Sequence, residues 1–156
     1  TLRKRGKNKA QKNNIVIHEG DFYEEYHALL TQVLRRHDAI PIHSIAELRL
    51  LKQRVPERLK LVGAFESGEL IAATLLFHFD TVVHTQYLAN SHRGMEIGAL
   101  DLLIFHVLDL SIQGGRFLSF GTSMEQGGSV LNEGLIAQKE GFGARGLVLD
   151  QYEISL

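Results

Sequence analysis

Cysteine is absent from the 156-residue chain. Its absence removes disulfides, a thiolate nucleophile and any zinc site built on cysteine. Long apolar runs are absent as well. No stretch reaches membrane-spanning length without a charge, and the first residues lack the pattern of a signal peptide. Both absences are compatible with a cytoplasmic protein. The eight histidines do not gather at metal-ligand spacing, so no metal is expected. There is no nucleophile elbow and no Ser, His and Asp in a hydrolase order. Internal repeats are missing, and low complexity is confined to the basic start. The chain opens with Thr1 rather than Met, which reads as a fragment or a processed form.

What is present fits an ordinary soluble globular domain, with 44% hydrophobic and 22% charged residues. The length suffices for one domain with a real core. A formal net charge of −1 conceals an asymmetry. Arg3, Lys4, Arg5, Lys7, Lys9 and Lys12 all precede the first acid, Glu19. Such an arm can bind nucleic acid or a polyphosphate. More often such an arm is a solvated helix or a linker, and no aromatic residue interleaves with it for base stacking, which ranks nucleic acid low.

Along the chain, residues 2–12 read as a polar helix or frayed arm and residues 15–18 as a short strand. Asp21 can cap a helix whose apolar face is Phe22, Tyr26, Leu29, Leu30, Val33 and Leu34. Pro41 marks a break. Ser44 with Glu47 three residues on forms a capping box for a second helix, and Pro56 follows its end. Three strands come next, at 59–65, 70–79 and 82–89. The first two are joined by the turn Glu66-Ser67-Gly68-Glu69, and the second is apolar on both faces and therefore central. A long apolar helix follows, ended by Gly114-Gly115. Residues 116–120 read as a strand parallel to 82–89, because a helical crossover joins them. A polar loop at 121–128, a helix at 129–140 and a last strand at 145–154 complete the order β-α-α-β-β-β-α-β-α-β, an α/β fold with a mixed sheet.

The organising stretch is 81–113: a strand, a polar turn holding Gly94 and Gly98, and the apolar helix. A strand that turns through glycine into a helix exposes unpaired N–H groups, with the helix dipole behind them. Such a helix start can hold an anion such as a phosphate, although many strand–turn–helix units bind none. The expectation is that the N–H groups from Gly94 to Gly98 converge on one point.

The element order resembles the GNAT acyltransferase superfamily. There the turn after the fourth strand usually reads Arg/Gln-x-x-Gly-x-Gly/Ala and grips the pyrophosphate of acyl-CoA. Arg93, Gly98 and Ala99 match it in residue type, Gly94 occupies a free position, and Glu96 stands where the first glycine is usual. The segment FGTSMEQGGSVLNEGLIAQKEGFGARG resembles the Fem-like branch, through Phe120-Gly121, Gly128, Asn132, Gly134-Leu135, Lys139 and Gly141-Phe142-Gly143. HTQYLANS and PIHSIAELRLL are similar to that branch too. The resemblance covers nearly the whole chain. It implies one GNAT-like domain over 1–156 with 1–12 a basic arm or linker helix, the second half of a longer bacterial protein whose N-terminal GNAT-like half is absent here. It implies transfer of an acyl group from acetyl-CoA or another acyl-CoA to a small-molecule or cell-wall-precursor amine. Aminoacyl transfer from charged tRNA, and a non-catalytic half that binds a substrate or partner, are the alternatives.

The candidate residues follow. Period-two alternation places His84 and Gln86 on one face of their strand, Thr85 and Tyr87 on the other. His84 suits a general base near neutral pH, although a histidine so placed is more often a hydrogen-bonded strand residue. Tyr87 can protonate a leaving thiolate or serve as a core tyrosine. Glu125 can act as base or hold an amine with Ser123 and Gln86, or be a surface carboxylate. The resemblance implies donor contacts at Arg93, Gly94, Gly98, Ala99 and Asn132, with Asn132 on the pantetheine arm. Lys139 can neutralise an oxyanion or favour a helix C-terminus.

Overall fold

The computed structural model describes residues 2–36, 38–148, 150 and 152–154. They fall into two compact units, Thr1–Thr122 and Ser123–Leu156.

In the first unit the elements run α1 (Leu2–Lys12), β1 (Val16–Glu19), α2 (Tyr23–Arg35), α3 (Ile45–Arg54), β2 (Leu59–Glu66), β3 (Glu69–His78), β4 (Val82–Asn90), α4 (His92–Ile97), α5 (Ala99–Gln113) and β5 (Phe117–Ser119). The five strands form one sheet in chain order, antiparallel from β1 to β4 and parallel between β4 and β5. β3 takes the centre, as its two apolar faces require. The β2–β3 turn puts Ser67 and Gly68 at φ 51° and 88°, the pair of positive φ values that matches strand twist in a tight hairpin. At the start of α3 both halves of the capping box form: Glu47 N–H donates to Ser44 Oγ, and Ser44 N–H donates to the Glu47 carboxylate.

Each sheet face carries its own core. On one, Tyr23, Tyr26, Leu29, Leu30 and Leu48 of α2 and α3 pack on Leu59, Leu61, Ala73 and Leu75. On the other, Ala99, Leu103 and Val107 of α5 pack on Val62, Ala64, Ile71, Leu76 and Val83. Each fully buried leucine here contributes about 1.5–3 kcal/mol relative to exposure. α5 is apolar around most of its circumference because α1 packs on it as well, with Ala10 wholly buried. The basic stretch is thus a docked helix.

The second unit holds a short hairpin, β6 (Met124–Glu125) with β7 (Val130–Leu131), a 3₁₀ turn Gln126–Gly128 between them, and α6 (Glu133–Gly141). The helix expected from residue 129 starts at 133 because Val130 and Leu131 pair with β6 and Asn132 is the cap. The strand expected at 145–154 does not form among residues 145–148, 150 and 152–154, while Leu149 and Gln151 lie outside the described residues. Alternation makes a strand only where a neighbour offers backbone partners. Among the described residues no helix is long and apolar enough to cross a membrane.

Candidate functional site

The α4–α5 junction is built for packing. Residues 92–97 form a helix rather than an open turn. Ser91 caps it, accepting the Gly94 N–H on its hydroxyl at 2.9 Å and the Met95 N–H on its carbonyl at 2.9 Å. The Gly98 N–H donates to the Gly94 carbonyl, and the Glu96 and Ile97 N–H groups lie inside α4. The expected convergence of these donors on one point therefore does not occur. A Cβ on Gly94 would overlap Asn90 Oδ1 and the Ile71 carbonyl. Gly98, at φ 79°, faces the backbone of Gly6 so closely that a Cβ would overlap it. α1 covers the start of α5: Arg3 pairs with Asp101 at 3.0 Å, and Lys7 Nζ sits 5.0 Å from the Phe105 ring centroid. Burial pushes the Asp101 carboxyl above its ordinary range, with Arg3 pulling the other way. Ala99 is buried. Arg93 donates from Nε and Nη2 to the two Glu66 oxygens at 2.8 and 2.6 Å, and Glu96 lies 3.6 Å from its Nη1. These bonds from Arg93 hold the Glu66 carboxyl below its ordinary range.

The far end of β4 is arranged in the opposite way. β4 pairs with β5 only at Val82–Phe117, Val83–Leu118 and His84–Ser119. It then runs on to Asn90 paired with β3, and among the described residues no strand pairs with its other edge. Across β3, Leu76 faces Thr85 and Leu75 faces Tyr87, so Gln86 is an extra residue in a bulge. The bulge corrects the expected alternation. Directly opposed residues share a face, so Thr85 joins Leu76 on the α5 face. Tyr87 joins Leu75 on the α2–α3 face, and His84 is opposite Phe77, which packs on that same face. The extra residue moves Tyr87 to the side of His84, as bulges beside functional sites do.

His84 Nδ1 lies 3.0 Å from Ser119 Oγ, and Thr85 Oγ1 donates to the Ser119 carbonyl at 3.1 Å. Ser119 thus ties β5 to β4 at the last paired position, and the chain turns away at Gly121, where φ is 67°. Three residues beyond His84, the Tyr87 hydroxyl meets His43 Nδ1 at 3.1 Å, the rings edge to face. His43 comes from the segment between α2 and α3. His27 Nε2 of α2 donates to the His43 carbonyl at 3.2 Å, and the capping box begins at the next residue. Beneath them Tyr26 is wholly buried, and its hydroxyl has no hydrogen-bond partner. Burial, then the nearby Tyr87, pushes the Tyr26 phenol well above its ordinary range.

In the second unit, Asn132 caps α6 by accepting the Leu135 N–H at 2.8 Å, and donates from Nδ2 to Glu125 Oε1 at 2.6 Å. Its own N–H donates to the Ser123 carbonyl at 2.9 Å. Ser123, Glu125 and Asn132 are therefore joined in one hairpin. Lys139 is buried on α6, and burial pulls its amine below the ordinary range. Among the described residues no group of three or more His, Asp and Glu side chains could hold a metal ion.

The structure gathers His84, Gln86 and Tyr87 along one strand end. Arg93, Gly94, Gly98 and Ala99 sit at the packed junction. Sequence reasoning missed His43, His27, Tyr26 and Ser119. The signal for His43 was its place in PIHS, directly before the capping box that fixes where its loop ends.

No protein-family model matches the chain, and no curated protein matches it at a significant level. Solved structures share its fold. A possible acetyltransferase from Clostridium difficile 630 superposes with a TM-score of 0.70 at 10% identity, over 91% of this chain and 97% of that one. An aminoglycoside acetyltransferase from an uncultured soil metagenomic sample, in complex with sisomicin, gives 0.64 at 11% identity over 93% and 99%. The ribosomal-protein-alanine N-acetyltransferase of Brucella melitensis biovar Abortus 2308 gives 0.62 at 14% identity over 91% and 99%. The chain shares the fold of these acetyltransferases, with the mixed α/β sheet expected from its element order.

Proposed function

We propose that this chain is a GNAT-type N-acyltransferase, in which an acceptor amine attacks an activated acyl group directly. The observation that carries the reading is the parting of β4 from β5 after His84, in a fold shared with acetyltransferases. An open strand edge suits an extended donor arm with amide groups, such as the pantetheine of acyl-CoA, added as one more strand. Backbone N–H groups near the Gln86 bulge suit the oxyanion that forms on the acyl carbon. Tyr87 gives a proton to the leaving group, and a neighbouring imidazole relieves the amine of one. Gln86 holds the acceptor. The acceptor is a small-molecule or cell-wall-precursor amine. Two structural neighbours bear names that specify an aminoglycoside and the alanine of a ribosomal protein, and both kinds of amine are suitable probes.

One observation favours a second reading within the same chemistry. The α4–α5 junction offers no convergent N–H groups to a pyrophosphate, and the basic helix α1 lies over it. A Fem-type enzyme, drawing its aminoacyl group from charged tRNA as the half of a longer protein, needs no such grip.

The test is transfer from acetyl-CoA and from alanyl-tRNA to an amine panel: an aminoglycoside, an alanine-initiated peptide and a lysine-initiated peptide. Amide product from the first donor supports the leading reading. Product only from the second, with tRNA affinity that falls steeply with salt and on Arg5, Lys9 and Lys12→Gln, moves the assignment to the Fem type. Loss of a general base lowers rate by about 10²–10⁴-fold, so substituting the imidazole that serves as base should lower transfer by as much. No transfer from either donor, with no acetyl-CoA binding by calorimetry, overturns the proposal.

A further inference from the structure

We infer that His43 is the proton acceptor for the attacking amine and Tyr87 its relay to the leaving group. The inference rests on the acyltransferase reading and adds to it a residue from a different element. The parted segment of β4 begins after His84, and Tyr87 lies within it. Among the described residues, one imidazole lies at hydrogen-bond distance from the Tyr87 hydroxyl, that of His43.

The position of that imidazole is fixed from three sides. The His27 ring bonds the His43 carbonyl; since a carbonyl only accepts, His27 Nε2 bears the proton. The capping box at Ser44 and Glu47 fixes the next residue. The Tyr87 hydroxyl meets Nδ1. Both rings are only partly buried, so a substrate can reach them. Tyr26 packs in the core on the same side of the sheet as Tyr87. Its hydroxyl is wholly buried and has no hydrogen-bond partner.

His84 is less suited to the same task. Its Nδ1 is engaged with Ser119 Oγ, which also accepts the Gly121 N–H. In the relay, His43 holds its proton on Nδ1, donated to the Tyr87 oxygen, and presents a bare Nε2 to the amine. The amine nitrogen bonds to the acyl carbon and gives its proton to Nε2. The bond from the acyl carbon to the leaving sulfur or oxygen breaks, and its electron pair takes the Tyr87 hydroxyl proton. The Nδ1 proton then passes to the Tyr87 oxygen. One proton leaves the amine and one reaches the leaving group, so the enzyme ends neutral with its ring proton on Nε2. Exchange with water restores the starting tautomer.

The experiment has two readouts on the intact chain. Nitrogen-15 spectra of the histidine rings at pH 8 should show His43 as the Nδ1–H tautomer, and Tyr87→Phe should return it to the ordinary Nε2–H preference. An Nε2–H His43 in the wild type overturns the inference. With acetyl-CoA or alanyl-tRNA and the amine panel, His43→Gln should lower kcat/KM by about 10²–10⁴-fold and abolish the acidic limb of its pH profile. His84→Gln should keep that limb. If the wild type transfers and His43→Gln keeps the limb, the relay falls and the acyltransferase reading stands. If the wild type transfers nothing, both fall.

Discussion

The two ends of the α4 region, only a few residues apart, show opposite designs. At the α4–α5 junction every conspicuous residue is already engaged: Gly94 against Ile71, Gly98 against Gly6, Arg93 with Glu66, and Asp101 with Arg3. At the far end of β4, the strand leaves its neighbour, a bulge redirects Tyr87, and two histidines and a buried, partnerless phenol gather beside it. Glycines at a helix start can admit a phosphate or admit another helix. The distinction lies in what the N–H groups bond, not in the glycines themselves.

The largest effect that could break this comparison is at Gly98. Gly98→Ala must hold a left-handed φ and displace the Gly6 backbone. We expect a loss of about 2–4 kcal/mol in denaturant unfolding. Unchanged stability with weakened donor binding would instead make the junction a ligand site. A smaller stability effect, about 0.5–1.5 kcal/mol, is expected for Tyr87→Phe, since one hydrogen bond at a half-buried site is removed. A transfer rate that falls far more than that separates chemistry from packing.

Arg93→Ala should sharpen the contrast by doing little. Its ion pair with Glu66 is at the surface, so stability changes slightly and acetyl-CoA affinity, measured by calorimetry, stays the same. The smallest effect concerns His78, which belongs to neither region. Burial, then Arg116 and Lys60, hold its imidazole below the ordinary 6.5. Its folded form therefore binds a proton less readily than the unfolded chain. The associated stability is present above about pH 6.5 and declines as pH falls toward the folded value. His78→Gln should remove this decline from a stability–pH curve and leave the acidic limb of the rate profile intact, separating unfolding from catalysis.

Local signals made most of the first unit legible. Ser44 and Glu47 announced the helix they cap, Gly68 the hairpin, and the apolar run at 99–113 the crossover that makes β5 parallel to β4. The bulge was not legible. Nothing in HTQYLANS distinguishes a strand that keeps register from one that adds Gln86, because the choice is made by how β3 and α2 pack against it. His43 was hidden for a related reason: its partner Tyr87 is distant in sequence, and only the sheet brings them together. Residues 92–97 read as part of a polar turn with two glycines between strand and helix; in the fold Ser91 supplies a helix cap, and at Gly94 Asn90 and Ile71 leave room for nothing larger. The alternation at 145–154 said nothing of a partner strand.

The central claim is that chemistry belongs to the parted end of β4 and not to the α4–α5 junction. Backbone amide shifts, mapped while acetyl-CoA or an alanyl-tRNA is titrated into the intact chain, test it most directly. The account predicts changes concentrated at residues 84–90, 117–121 and at His43, with residues 93–99 unmoved. Changes centred on residues 93–99, or none from either donor, would contradict it.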